Sequence, residues 1–147
     1  MNIINAKLEH LDALAVLFNE YRMFYQKDSN PDAAMAYLKA RLSNEEAIVF
    51  LAQDATKKAL GFVLLYPSFS SLSMGKIYVL NDLYVEKSSR GKGISHALMR
   101  AARDFARENH AVKIILKTSK DNQVAQSLYK SEDYHLETRF LTYELDL

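Results

Sequence analysis

Residues 77–105 constrain the fold of this chain more than any other stretch. Ile77–Val85 is apolar or aromatic except at Asn81 and Asp82, which is the composition of a strand buried on both faces. From Ile94 onward apolar residues recur at three- and four-residue steps, which predicts a helix with one buried face. The stretch therefore predicts a strand, a short loop and a helix in direct succession.

The loop between this strand and this helix is basic and contains two of the chain's four glycines, Gly91 and Gly93. Lys87, Arg90 and Lys92 surround them. A helix start offers unpaired backbone N–H groups and the positive end of the helix dipole, and glycines let an anion approach the backbone closely. The loop is therefore a candidate phosphate site. A tight turn carrying solvated basic residues explains the same residues equally well.

Composition limits the classes of function. A length of 147 residues favours one domain spanning 1–147, and a net charge of +1 gives no global field that favours nucleic acid or a membrane. The chain has no cysteine, which excludes a disulfide framework, a zinc–thiolate site and a cysteine nucleophile. The four histidines show no ligand spacing, so no metal site is predicted. Without an apolar leader or a long apolar run, a soluble cytoplasmic protein is expected.

The order of elements predicts the fold class. The pattern reads β-α-α-β-β-β-α-β-α-β, with a second helix that begins at Pro31 and a strand over 60–66 that Pro67 stops. Residues 139–147 alternate apolar and polar, which predicts a final strand with one buried face. This order favours an α/β fold with a mixed sheet, antiparallel in its N-terminal part and closed by a β-α-β crossover.

The segment Arg90-Gly91-Lys92-Gly93-Ile94-Ser95 resembles the Arg/Gln-x-x-Gly-x-Gly/Ala motif of the GNAT superfamily of N-acetyltransferases, with a small departure at Ser95. The order of elements is also similar to that fold over the full length, most strongly across 77–134. The resemblance implies acetyl-CoA as co-substrate and no metal. It also implies that acetyl-CoA is bound by Leu83, Tyr84, Val85, Arg90, Gly91, Lys92, Gly93, Ile94, Ser95 and Asn122.

Asn81 and Asp82 interrupt the apolar strand. Burying a carboxylate is costly unless its oxygens are satisfied, so this pair is a candidate functional group. Acetyl transfer requires a neutral amine, and Asp82 would act as the base, through water, or as the anchor of a cationic substrate. A structural bond that keeps the sheet in register remains an equal alternative. Strict alternation places the two side chains on opposite faces, and a β-bulge would change that assignment.

The segment from Asn122 to Tyr129 resembles the family pattern Asn-x-x-Ala-x-x-Leu/Phe-Tyr. The resemblance implies that Asn122 contacts acetyl-CoA and that Tyr129 is the general acid that protonates the departing thiol. By its position near the apolar face of the helix alone, Tyr129 would be favoured as a core residue. The Gly-Phe pair that usually follows is replaced by Asp133-Tyr134, which leaves the turn after the helix open.

The strand around Asn81 and the end of the first helix look like those of the diamine and polyamine acetyltransferases and of the small fungal histone/polyamine acetyltransferases. That resemblance implies substrate contacts at Tyr25, Gln26 and Asn81. The leading hypothesis is acetyl transfer by direct attack to a small primary amine, such as a polyamine or an amino acid. Protein lysine or N-terminal acetylation and a non-catalytic acetyl-CoA sensor are the alternatives. The last strand could also pair across a homodimer, and a monomer with a single sheet explains its alternation equally well.

Overall fold

The computed structural model describes all 147 residues, which form two units, Met1–Lys117 and Thr118–Leu147. The first unit contains a five-stranded sheet in the order β1-β2-β3-β4-β5. Strands β1 to β4 pair antiparallel and β5 pairs parallel to β4, which confirms the predicted mixed α/β class. The elements are β1 (Asn2–Asn5), α1 (Leu11–Phe24), α2 (Pro31–Ser43), β2 (Ile48–Gln53), β3 (Ala59–Ser70), β4 (Gly75–Val85), α3 (Ile94–Glu108) and β5 (Lys113–Ile115).

Helices cover both faces of this sheet because successive strand residues point to opposite sides. Val49, Leu51 and Phe62 belong to the core that α1 and α2 bury. Phe50 points the other way and meets Phe105 of α3, with ring centroids 5.6 Å apart. Each such buried side chain contributes about 1.5–3 kcal/mol of hydrophobic free energy. None of the helices combines the length and the apolar character that crossing a bilayer requires.

Strand β3 runs through Pro67, so the prediction that proline stops the strand is wrong. β2 pairs with β3 only as far as Leu65, whereas Pro67 lies opposite Tyr78 of β4. Beyond Leu65, β3 therefore has a neighbour on one side only. Proline lacks an N–H group, and an edge position does not require that donor.

Strand β4 contains a β-bulge at Asn81. Leu65 of β3 lies opposite Leu80, and the preceding residue, Leu64, lies opposite Asp82. One step along β3 thus corresponds to two steps along β4, and Asn81 is the extra residue. From this point the side chains of β4 exchange faces.

Aromatic contacts show this exchange directly. Tyr78, before the bulge, meets Phe105 of α3 at 5.5 Å between ring centroids. Tyr84, after the bulge, meets Tyr21 of α1 at 6.3 Å. Residues six apart in a regular strand would share one face. The bulge therefore turns Asp82 and Tyr84 toward α1.

The second unit contains one helix, α4 (Gln123–Ser131). Asp133 follows it with a φ of +66°, the left-handed conformation that usually favours glycine. The N–H of Tyr134 donates to the carbonyl oxygen of Tyr129 at 3.0 Å and closes the helix end. The turn after α4 thus keeps a glycine-type geometry although Asp133 replaces the glycine.

The predicted C-terminal strand is wrong, since residues 132–147 contain no helix or strand. Leu141, Tyr143 and Leu145 are 80%, 89% and 84% exposed. Alternation indicates which side of a strand would be buried, but a strand also needs a partner for its backbone groups. The second unit holds no other strand that could supply them.

Candidate active site

A pocket of about 440 Å³ lies where α1 and α2 meet β3 and β4, entirely within the first unit. Its size falls within the range of roughly 300–1,000 Å³ that is typical of small-molecule sites. No group of three or more His, Cys, Asp or Glu side chains is arranged to hold a metal ion. The pocket is lined by Phe18, Tyr21, Arg22, Tyr25, Lys27, Ala33, Ala34, Tyr37, Tyr66, Asn81 and Asp82.

The carboxylate of Asp82 is the buried charge of this pocket, with only 3% of the residue exposed. Nδ2 of Asn81 donates to Oδ1 of Asp82 at 2.8 Å. Strict alternation would have placed these two side chains on opposite faces, and the bulge changes that assignment, as the sequence analysis allowed. Oδ2 of Asp82 is buried and accepts no hydrogen bond from the chain. A buried carboxylate oxygen without a hydrogen-bond donor lowers the stability of the fold. An ammonium group bound in the pocket would supply the missing donor.

Burial raises the pKa of Asp82, and the nearby Asn81 amide and Tyr21 hydroxyl reverse only part of that rise. In the structure the Tyr21 hydroxyl donates to the carbonyl oxygen of Asn81 at 3.3 Å. Desolvation disfavours the charged form of a carboxyl, which is the usual cause of such a shift. A carboxylate with a raised pKa accepts a proton more readily than an ordinary one. The environment of Asp82 therefore makes this carboxylate a stronger base than an exposed aspartate.

Aromatic rings form the walls of the pocket. The rings of Phe18 and Tyr37 stack with centroids 5.7 Å apart, and those of Tyr21 and Tyr25 lie 5.1 Å apart. The faces of such rings attract cations, and the effect strengthens when water is excluded. Rings and carboxylate together make the inner part of the pocket suitable for an ammonium group.

The hydroxyl groups of Tyr37 on α2 and Tyr66 on β3 form a hydrogen bond with each other, which connects the two elements at the pocket wall. Burial raises the pKa of Tyr66, and the bond to Tyr37 and the charge of Asp82 raise it further. Tyr66 therefore stays a neutral phenol at neutral pH. Its hydroxyl is a fixed polar group in an otherwise aromatic wall.

The two substrate contacts predicted at the end of α1 lie in different places. Tyr25 lines the pocket, whereas Gln26 does not. Gln26 has a φ of +65°, and its Nε2 donates to the carbonyl oxygen of Phe24 at 3.3 Å. Gln26 thus belongs to the turn that ends α1.

The glycine loop leads into a helix start without a side-chain cap. Gly91 and Gly93 have φ values of +78° and +79°, and an added Cβ at either would meet no atom within 4 Å. The loop therefore needs glycine for its backbone conformation, and the space beside it is open. Asn30 caps α2 with its side chain, but no side chain caps α3 after Gly93. The first N–H groups of α3, including that of Ser95, have no partner within the helix, as an anion site requires.

Arg90 connects this loop to the end of β4. Its Nε donates to the carbonyl oxygen of Val85 at 3.0 Å, and its guanidinium lies 5.5 Å from the ring centroid of Tyr84. Nζ of Lys92 lies 3.4 Å from the carbonyl oxygen of Ser88. These contacts fix the loop against the strand.

Strand β4 has an open edge near its C-terminal end. β5 pairs only with Ile77–Val79, and no strand pairs with Leu83–Val85 on that side. Backbone groups at such an edge can bind an extended ligand that carries amides, as the pantetheine arm of CoA does. The open edge and the uncapped start of α3 therefore both fit acetyl-CoA.

Two further predicted residues belong to the second unit. Oδ1 of Asn122 accepts a hydrogen bond from the N–H of Ala125 at 3.1 Å and so caps α4. Tyr129 is half-buried, and its ring centroid lies 6.2 Å from that of Tyr134. Their roles toward acetyl-CoA and the thiol remain predictions.

Sequence reasoning misses most of the pocket wall. Local periodicity identifies Phe18, Tyr21 and Tyr37 only as apolar positions of helices, and Tyr66 only as a strand residue. The one available signal is chemical, since three of these four side chains carry hydroxyl groups that an aliphatic core would not need.

A mixed sheet of this order, with a glycine loop leading into an uncapped helix, is the architecture of an acyltransferase. The chain belongs to the Acetyltransferase (GNAT) family, whose model matches residues 12–133. This family uses acetyl-CoA. The matched range includes parts of both units.

Individual relatives agree with this assignment. The chain is 44% identical over 147 residues to the uncharacterized N-acetyltransferase YhfO of Bacillus subtilis (strain 168), covering 100% of this chain and 98% of that protein. It superposes with a TM-score of 0.95 on a crystal structure of a probable acetyltransferase, at 42% identity, covering 100% of this chain and 98% of the other.

A more distant structure shares the fold alone. It is that of AAC(6')-Iy in complex with the bisubstrate analog CoA-S-monomethyl-acetylneamine. The TM-score is 0.82 at 18% identity, covering 99% of this chain and 98% of the other.

Proposed function

We propose that this acetyltransferase moves the acetyl group of acetyl-CoA to the primary amine of a small molecule bound in the pocket beside Asp82. One observation carries the proposal: the pocket of about 440 Å³ encloses a buried carboxylate whose Oδ2 accepts no hydrogen bond from the chain. Polyamines and amino acids are the two classes of small amine that the sequence suggests. A polyamine carries only positive charges, whereas an amino acid also carries a carboxylate.

Asp82 would prepare the amine for attack. An alkyl ammonium has a pKa of about 10.4, so only a small fraction is neutral at pH 7. The carboxylate of Asp82 holds the ammonium and takes its proton, directly or through water. The raised pKa of Asp82 favours this proton transfer.

Acetyl-CoA, when bound, supplies the acetyl group as a thioester that the amine attacks directly in a ternary complex. The N–H groups at the start of α3 and the basic residues of the glycine loop would hold its phosphates. Backbone groups of Leu83–Val85 would hold the pantetheine arm, and the N–H near Leu83 would polarise the thioester carbonyl. By the family resemblance, Asn122 would contact the cofactor and Tyr129 would donate a proton to the sulfur.

Thermal denaturation with acetyl-CoA tests the cofactor part of this proposal. A ligand that binds only the native state stabilises it by about 2.7 kcal/mol at 100 times its Kd. We expect the melting temperature to rise with acetyl-CoA and to stay unchanged with NAD or ATP at equal concentration. No shift at saturating acetyl-CoA would contradict the assignment of residues 90–95.

Turnover assays then test the acceptor. Small amines and lysine-bearing peptides are offered in parallel with acetyl-CoA, and we expect turnover of small amines. Turnover of peptides alone would favour a protein acetyltransferase. Binding of acetyl-CoA without turnover of any amine would favour a sensor.

We also propose that two copies associate through the exposed apolar residues of the segment 140–147, including Leu141, Tyr143 and Leu145. Large exposed apolar patches usually mark interaction sites, and apolar residues recur at every second position from Leu141 to Leu147. Sedimentation equilibrium should give the mass of a dimer at micromolar concentration. A strictly monomeric mass would overturn this part of the proposal.

A further inference from the structure

The charges that line the pocket are unequal in number. Asp82 is its only carboxylate, whereas Arg22 and Lys27 contribute two cations. Asp82 is buried, Arg22 is half-buried and Lys27 is exposed, so the carboxylate lies deep and the cations lie toward the mouth. Two nearby acidic residues, Asp28 before α2 and Asp32 in its first turn, do not line the pocket.

Neither cation is neutralised within the chain. The side chains of Arg22 and Lys27 make no hydrogen bond, ion pair or ring contact with another residue. The neighbouring Arg41 is different, because its Nε lies 3.3 Å from Oε1 of Glu46. The nearby carboxylate of Glu20 does not pair with Arg22 or Lys27, and it accepts a hydrogen bond from the hydroxyl of Tyr84 at 3.3 Å. Arg22 and Lys27 are thus the two cations at this pocket that remain available to a ligand.

We propose that the acceptor is a small zwitterionic amine, whose ammonium binds Asp82 and whose carboxylate or phosphate binds Arg22 and Lys27. The planar guanidinium of Arg22 suits a two-oxygen contact with such an anion. A polyamine would bring at least two positive charges to a lining that already carries a net +1, from two cations and one carboxylate. The inference rests on the proposed acetyl transfer to a small amine and narrows it to anionic amines.

Three ligands of matched length test the charge requirement. 5-Aminopentanoate, pentylamine and 1,5-diaminopentane share a five-carbon chain and a primary amine, and differ in a distal group that is negative, neutral or positive. Calorimetric binding to the full chain with CoA, and acetyl transfer from acetyl-CoA, are measured for each. We expect 5-aminopentanoate to bind and react best and 1,5-diaminopentane worst. 3-Aminopropylphosphonate then tests whether a phosphate-like anion is preferred to a carboxylate. A panel of α-amino acids tests the preferred spacing between the amine and the carboxylate.

Variants of the two cations test their roles. With the anionic ligand 5-aminopentanoate, Arg22→Gln and Lys27→Gln should each raise both the dissociation constant and the Michaelis constant roughly 10-fold or more, since a charge-assisted hydrogen bond is lost. The same variants should leave pentylamine unchanged and improve 1,5-diaminopentane. Lys39→Gln is the matched control, because it removes the same charge from α2 at a residue outside the pocket lining.

The outcomes separate this inference from the proposed function. Acetylation of amines with equal or better use of 1,5-diaminopentane would overturn the inference and leave the proposed function intact. Preferential binding of 5-aminopentanoate without acetylation would support the charge assignment and overturn the proposed function. Weaker binding of acetyl-CoA to the Arg22 or Lys27 variants would assign these cations to the cofactor and overturn the inference.

Discussion

Replacing Asp82 by asparagine is expected to lower kcat/KM for the amine by about 100-fold or more, because general-base catalysis contributes at least this factor. Asparagine keeps the size of the side chain and its acceptor for Nδ2 of Asn81. The neutral asparagine amide cannot form an ion pair with the substrate ammonium and cannot accept its proton. Steady-state kinetics at saturating acetyl-CoA measure the effect.

The same substitution should make the protein more stable at neutral pH. Burial raises the pKa of Asp82 in the folded chain above its unfolded value of about 3.9. The folded state therefore holds a proton where the unfolded state has lost it, and the free energy of unfolding falls as pH rises through this window. The amide of the Asp82→Asn variant carries no charge to desolvate, so the melting temperature of the variant should exceed that of the parent at pH 8 by more than at pH 4.

Asp32→Asn is the control for the kinetics, since Asp32 lies on α2 but does not line the pocket. It should leave activity close to that of the parent. Activity of Asp82→Asn within about threefold of the parent would remove Asp82 from catalysis. A lower melting temperature of Asp82→Asn at pH 8 would mean that the carboxylate is structural.

The fold was largely predictable because its elements carry strong local signals. The apolar run of β4 and the helical spacing from Ile94 specify their elements by themselves. The length of β3 was not predictable, since only pairing shows that Pro67 lies at an edge. For residues 139–147 the prediction erred in the opposite direction, because it placed a strand where none forms. The apolar and polar residues do alternate there, but no strand pairs with them.

The site was less predictable because it depends on register. The bulge at Asn81 adds no distinctive residue to the sequence, yet it turns Asp82 from the α3 side of the sheet to the α1 side. The pocket wall combines residues as distant as Phe18 and Tyr66. Local patterns assign such residues to separate elements, and only the packing of α1 and α2 on the sheet brings them together.

Replacing Tyr129 by phenylalanine is expected to lower kcat by about 100-fold or more without changing the affinity for acetyl-CoA. The proposed role of its hydroxyl is to protonate the departing thiol, and general acids contribute on the order of 10²–10⁴ in rate. A group that acts only in the transition state changes kcat and kcat/KM together. Phenylalanine retains the ring, so the contact with Tyr134 in the second unit is preserved.

Tyr143→Phe provides the matched control, because it removes a phenol from the same unit at a residue that is 89% exposed. Because Tyr143 also lies in the segment proposed to join two copies, sedimentation must give this variant the same mass as the parent. Its kinetics should then equal those of the parent. Single-turnover rates measure the chemical step of both variants, and calorimetry with acetyl-CoA measures binding. An unchanged rate for Tyr129→Phe would exclude Tyr129 as the acid. A joint loss of rate and of acetyl-CoA affinity would instead make its hydroxyl a cofactor contact, and the thiol would then leave with a proton from water.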